Sequence, residues 1–411
     1  MSKIRPFRAF RPLPDIAAKV ASVPYDVINT KEARELSRDN PFSFLHICRP
    51  EIDLTDGIDI HSDKVYEKGA ENLRAFIAGG TLFREDSPAY YIYQQRMGNH
   101  VQAGLVVCSN VQEYEKGLIK IHELTRKDKE DDRTRHVSTQ NANAEPVFLT
   151  YRAVPELDSI IERSRRDRPV YDFTSVDGIG HAVWVLKDPA LVDKITELMS
   201  KVDALYVADG HHRTAAAVRN GQAARSKSGG RADDTMEHEW FMAVLFPHNQ
   251  LRIMGYYRVV KDLNGLSERE LLAHVGDKFS VGPGTREEPA SPHHFGMYLD
   301  KKWYELKAKE GSFQQGDPIL SLDVSILQNN LLDPILGIKD PRTDKRIDFV
   351  GGIRGTGELE KRCHDDCKVA FSLAPVTLEQ LMAVADAGKI MPPKSTWFEP
   401  KLRSGLTVRV L

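Results

Sequence analysis

The sequence predicts an α+β fold built as two lobes or as one core with a large extension, and three observations carry that reading. Hairpin patterns are mixed with isolated amphipathic helices, without steady strand–helix–strand alternation. The chain, at 411 residues, is longer than a usual single domain. Its composition, 41% hydrophobic and 28% charged, is that of a globular protein able to bury a sizeable core.

The elements follow in chain order. Thr30 reads as a cap for a helix from Lys31, which should stop before Pro41 because proline drives its predecessor out of the helical region. Val65, Tyr66, Leu73, Phe76 and Ile77 share one face of a second helix, with Gly79-Gly80 just past its end. Residues 90–97 and 100–108 form two strand patterns, and Gly98-Asn99 between them suits a type II′ turn. Strands are predicted at 147–149 and 181–186, then a helix over 191–202 that buries Ile195, Leu198, Met199 and Val202. Leu205-Tyr206-Val207-Ala208 is a buried strand running into a polar turn, with the next helix beginning near Thr214. Residues 221–237, rich in Gly, Ser, Arg and Asp, predict a mobile loop or lid. Strands at 240–246 and 253–260 complete a sheet, and the domain boundary is expected at 261–266. Beyond it, Ser267 with Glu270 and Thr377 with Gln380 form two capping boxes, the second opening a helix that ends at Gly388.

Charge and cysteine usage exclude several classes. A net charge of −2 with no long Lys/Arg run argues against nucleic acid as a partner. No stretch approaches the roughly 18 apolar residues of a membrane helix, and the N-terminus lacks the apolar core of a secretory signal. A cytoplasmic protein is expected. Four cysteines are too few and too scattered for a disulfide framework. Cys363 and Cys367 have no second ligand pair at zinc spacing, so free thiols and no metal site are expected.

The strongest chemical signal is Asp209-Gly210-His211-His212-Arg213. A strand ends, a glycine permits an unusual backbone angle and a helix starts, so free backbone N–H groups and the positive end of the helix dipole meet. Arg213 adds a planar fork for phosphate oxygens, and His211 and His212 add further donors. Next comes His122-Glu123. It is not the zinc-protease motif, which needs a histidine where Arg126 stands. Glu123, beside His122, has the chemistry of a general base toward a hydroxyl; the charged run 126–133 that follows reads by itself as a solvated helix face. In the proline-stiffened stretch 391–401, Lys394, Ser395 and Thr396 offer charge and hydroxyl donors to an anion. Asp26, within Pro24-Tyr25-Asp26-Val27-Ile28, reads as a satisfied turn carboxylate.

Taken together, Val23-Pro24-Tyr25-Asp26-Val27-Ile28, Asn40-Pro41-Phe42-Ser43, His122-Glu123-Leu124-Thr125, Asp209-Gly210-His211-His212-Arg213 and Met391-Pro392-Pro393-Lys394-Ser395-Thr396 resemble a bacterial family known as domain of unknown function ten-fifteen. The resemblance spans nearly the whole chain. It implies a ParB/sulfiredoxin-like mixed-sheet core over 85–262, with an N-terminal extension over 1–84 and a C-terminal α/β domain over 263–411. Through the family's kinship with free-serine kinases it implies phosphoryl transfer from ADP or ATP to L-serine or a related small hydroxyl compound. The implied roles are Glu123 as base with His122 beside it, Asp209, Gly210, His211, His212 and Arg213 as the nucleotide turn, and Lys394, Ser395 and Thr396 at the substrate. Magnesium is implied too, held by Asp209 or another carboxylate. The chain departs from the kinases at Trp397, where they carry a basic residue. The alternative is a nucleotide-binding regulator of the ParB-like group, without kinase activity.

Overall fold

The computed structural model describes residues 2–411, a mixed α+β structure in two compact units. One unit comprises the chain up to residue 251 together with 400–411, and the other comprises 252–399.

The first unit is organised by a nine-stranded mixed sheet. Eight of its strands run in the order Ile119–Lys120, Leu205–Asp209, Val147–Tyr151, Trp240–Pro247, His100–Asn110, Tyr90–Met97, Gly180–Leu186 and Tyr171–Thr174, and the ninth, Ile4–Arg5, lies off this path beside His100–Asn110. Two neighbouring pairs are parallel: 119–120 with 205–209, and 147–151 with 240–247. The central strands 147–151 and 240–247 are buried at every position, the pattern of strands covered on both faces. Tyr90, Leu105, Leu149, Val207 and Phe241 anchor the core. The hairpin closes as its sequence requires, with Met97 opposite His100 and Gly98 at φ +57°.

Residues 2–84 are part of this unit, not an extension from it. Ile4–Arg5 pairs with Ser109 and Cys108 in the large sheet, and Phe10–Pro12 pairs with Leu82–Arg84. Val20, Phe44, Leu73 and Leu82 share a core with Ala142 and Val408, so the apolar faces of the early helices are buried by distant chain segments. Helix Thr30–Ser37 is capped one residue earlier than expected. The Asn29 side chain accepts the Glu32 N–H at 3.0 Å and the Glu32 carboxylate accepts the Asn29 N–H at 2.8 Å. The Thr30 hydroxyl donates to Glu51 instead.

Helix His211–Lys227 starts three residues before the expected position and runs through the first part of the expected loop. Ala215, Ala216 and Ala217 favour helix, and Gly221 allows close packing, because a Cβ there would stand 2.8 Å from the His238 carbonyl oxygen. Arg225 ties the last turn down through Glu239 at 2.7 Å and Glu115 at 3.1 Å.

The second unit holds a six-stranded antiparallel sheet, ordered Phe279–Pro283, Lys302–Ala308, His294–Leu299, Val369–Leu373, Tyr256–Val260 and Ile347–Gly351. The strand expected at 253–260 is two strands, both here. Arg252–Met254 pairs with Trp397–Glu399, and Tyr256–Val260 joins the sheet. Between them Gly255 has no room for a Cβ beside the Glu288 carboxylate and Tyr257. The division therefore falls at 251/252, ahead of the expected 261–266. Helices Glu268–Lys278 and Leu378–Asp386 open on both predicted capping boxes. Cys363 and Cys367 are free, and burial raises their thiols to about 12 and about 11. Among the described residues, no helix is long and apolar enough to cross a membrane.

Candidate functional site

Strands 119–120 and 205–209 are neighbours and parallel, so they end on the same side of the sheet. That places the loop at 122–123 beside the turn at 209–211. The 205–209 strand carries a register shift between Val207 and Asp209, a bulge that re-aims the chain just before the turn. Gly210 follows at φ +87°, and a Cβ there would lie 3.0–3.1 Å from the Arg213 guanidinium. The helix begins at His211, so the amides of its first turn lack partners within the helix and face the end where its dipole is positive.

Asp209 is committed on both oxygens. Oδ1 accepts the Gly210 N–H at 2.8 Å, and Oδ2 accepts from Lys401 Nζ at 2.9 Å. Burial alone would raise this carboxyl, but the charges of Lys401 and Arg213 hold it well below the usual carboxylate range. Arg213 turns inward. It is 8% exposed, its Nη1 donates to the Pro146 carbonyl and its Nε has no partner. Burial opposes its charge, yet Asp26, Glu145 and Asp209 outweigh that and raise its pKa. Asp26 is exposed at a turn.

Behind Arg213 lies a cavity of about 30 Å³, lined in part by Cys48, Arg133, His136, Glu145 and Arg213. It has room for a water or two. Arg133 pairs with Asp132 at 2.7 Å and with Glu145 at 3.4 Å, and its guanidinium stacks 3.8 Å from the Tyr25 ring centre. Tyr66 donates to Asp132 at 2.8 Å. Helix Lys127–Gln140 is thus not solvated all round: Asp132, Arg133 and His136 are buried.

His122, Glu123 and His211 come together. One ligand-capable atom from each lies within 4.8 Å of the others. The two rings meet edge to face, with centroids 4.6 Å apart and planes at 83°. Burial lowers the His122 pKa to about 4, and burial with the neighbouring His122 lowers that of His211 far below the ordinary value, so both rings are neutral near pH 7. His212 points elsewhere, its Nε2 accepting the Arg126 N–H at 3.1 Å.

The sequence matches the family described as "Protein of unknown function (DUF1015)" over residues 4–325. The chain belongs to this family. No curated protein matches this DUF1015 member. Among solved structures it is similar to a free serine kinase in complex with AMP, at 14% identity and a TM-score of 0.35, covering 74% of this chain and 91% of that one. It is also similar to SbnI with a C-terminal truncation from Staphylococcus aureus, at 12% identity and a TM-score of 0.39, covering 74% and 87%. A conserved hypothetical protein from Pyrococcus furiosus aligns at 13% identity and a TM-score of 0.35, covering 75% and 95%.

In this DUF1015 chain, Lys394, Ser395 and Thr396 belong to the second unit. Lys394 has φ +57°, its carbonyl accepts from Arg258 at 3.1 Å and its ammonium lies 5.7 Å from the Tyr256 ring centre. The buried Ser395 hydroxyl donates to the Pro392 carbonyl at 2.6 Å. Arg258 is 3% exposed, and burial lowers its pKa to about 10. The lysine of this region that reaches Asp209 is Lys401, a few residues further along and in the first unit. Sequence reasoning passed over it, and passed over Arg133 and Glu145, because nothing in their local spacing marks a contact made across the whole chain.

Proposed function

We propose that this chain is a phosphotransferase, moving the terminal phosphoryl group of ADP or ATP to the hydroxyl of free L-serine or a related small molecule. One observation carries the reading: a bulged strand, a left-handed glycine and a long helix present first-turn amides at Asp209–Arg213, with the Glu123 carboxylate beside them. The ordered motifs that resemble free-serine kinases support it, and so would a ParB/sulfiredoxin-like ancestry.

On this reading the amides at the start of helix 211–227 receive phosphate oxygens, and Gly210 lets the backbone approach them. Arg213 acts from behind, fixing the turn through Pro146 and adding positive potential. Glu123 takes the proton of the acceptor hydroxyl as its oxygen attacks the terminal phosphorus. The bond to the bridging oxygen breaks, and AMP leaves from ADP, or ADP from ATP. Asp209 does not fit as the holder of magnesium, since both its oxygens are engaged and a lysine ammonium sits on one of them.

Phosphorus NMR of the full chain with ADP or ATP and a panel of hydroxyl amino acids tests this directly. Phosphate-ester formation that Glu123→Gln slows by roughly a hundredfold or more, with nucleotide affinity kept, is the expected result. Nucleotide binding with no transfer to any acceptor would leave the regulatory reading in its place.

A further inference from the structure

We infer that His122, Glu123 and His211 form a binding site for one divalent first-row transition ion, of the zinc, cobalt or manganese kind. The donor set is two imidazoles and a carboxylate, and among the described residues it is the one group of three or more His, Cys, Asp or Glu side chains whose ligand atoms converge. Two imidazoles with one carboxylate suit such ions and leave at least one position for an oxygen donor. Magnesium prefers oxygen throughout and suits this set poorly.

An independent observation points to a missing partner. His211 is 7% exposed, yet its Nε2 has no hydrogen-bond partner. Buried polar nitrogens in folded proteins are nearly always satisfied, by protein, by water or by an ion. His122 is 1% exposed, and a hydrogen bond to the Val207 backbone fixes its ring, which is how metal-binding histidines are commonly oriented. The ligand atoms lie within 4.8 Å of one another, whereas ligands around such an ion stand roughly 3–3.5 Å apart. Closure needs a small contraction, and Glu123 lies on a loop and is half-buried. No linear motif could reveal this site, because His211 comes from a different strand end than His122 and Glu123.

The site does not depend on phosphoryl transfer, and its test uses no nucleotide. The full chain, stripped with chelator, is titrated with Zn2+ or Co2+ alone by calorimetry, with Co2+ visible absorption and the melting temperature as parallel readouts. The expected result is one ion per chain, a raised melting temperature and no displacement by excess Mg2+. Glu123→Gln, which leaves the buried rings in place, and His211→Asn should each weaken uptake at least on the order of 10- to 100-fold, the loss that even outer-shell changes bring. Changing Cys363 and Cys367 to Ser together should leave uptake unaltered. Absence of stoichiometric uptake in the unaltered chain, uptake undiminished in Glu123→Gln, or uptake lost with the cysteines would each overturn the assignment. Ion uptake without kinase activity would sink only the phosphotransferase reading, and kinase activity without ion uptake only the metal site, so the two fail separately.

Discussion

Replacing Gly210 with Ala separates two costs that are usually mixed. The first is backbone strain: at φ +87° an L-residue loses roughly 1–2 kcal/mol. The second is specific to this turn. The new methyl would stand 3.0–3.1 Å from the Arg213 guanidinium and push against a side chain that is buried and bonded to Pro146. Losing a hydrogen bond to a charged group costs about 1.5–3 kcal/mol. Gly178 supplies the control, with φ +80° in the same unit and open space, nothing within 4 Å, where its methyl would go. Gly178→Ala should therefore cost about 1–2 kcal/mol and Gly210→Ala about 2.5–5 kcal/mol. Urea unfolding can follow the first unit alone through Trp184 and Trp240 once Trp303 and Trp397 are changed to Phe. ADP affinity, measured alongside, should fall for Gly210→Ala only. If the two variants agree within about 0.5 kcal/mol, the guanidinium does not constrain the turn and the phosphate-cradle geometry loses its support.

Other perturbations probe the surroundings. Arg213→Ala should destabilise the first unit by about 1.5–3 kcal/mol in the same urea assay, since it removes the buried charged hydrogen bond to the Pro146 carbonyl; a loss under about 1 kcal/mol would mean the guanidinium does not hold the turn. Lys401→Met should let the Asp209 carboxyl titrate at higher pH, visible by carbon NMR, and an unmoved titration would separate the two groups. Glu113 is 3% exposed, and burial raises its pKa from 4.5 to about 7. The folded state thus favours the protonated acid: that stability is complete below pH 4.5 and is lost as pH rises toward 7, by at most about 3 kcal/mol. Glu113→Gln should flatten the stability profile across that window, and an unchanged slope would assign it to other groups.

Local signals were legible wherever a few neighbouring residues decide the outcome. Gly98-Asn99 closes its hairpin, Ser267 with Glu270 and Thr377 with Gln380 cap their helices, and the strand–glycine–helix turn at 205–213 is as its letters suggest. Composition misled at 221–227, where Gly, Ser and Arg looked like a loop, yet Gly221 serves close helix packing and Arg225 an ion pair. It misled again at Asp132 and Arg133, whose charges are buried because each satisfies the other. Which sheet a strand joins was out of reach. Residues 256–260 are as fully buried as those of 240–247, and only long-range pairing assigns them to different units. The meeting of His122, Glu123 and His211 depends on one short parallel pairing that two residues of pattern cannot announce.

The return of residues 400–411 to the first unit bears on how the protein is made. A ribosome delivers the N-terminal part first, yet the Asp209–Lys401 contact spans 192 positions and cannot form until residue 401 has emerged. The second unit is contiguous, so it can fold while the first still waits for its last segment. Val408, seated in the core of the early helices, and Arg409–Val410, paired with Ala142–Asn143, tie residues 400–411 into the first unit. A chain cut short by even a dozen residues would keep the whole 209–213 motif in its sequence and still lack the lysine that neutralises it. Asp209 thus meets its counter-charge only in chains translated past residue 401.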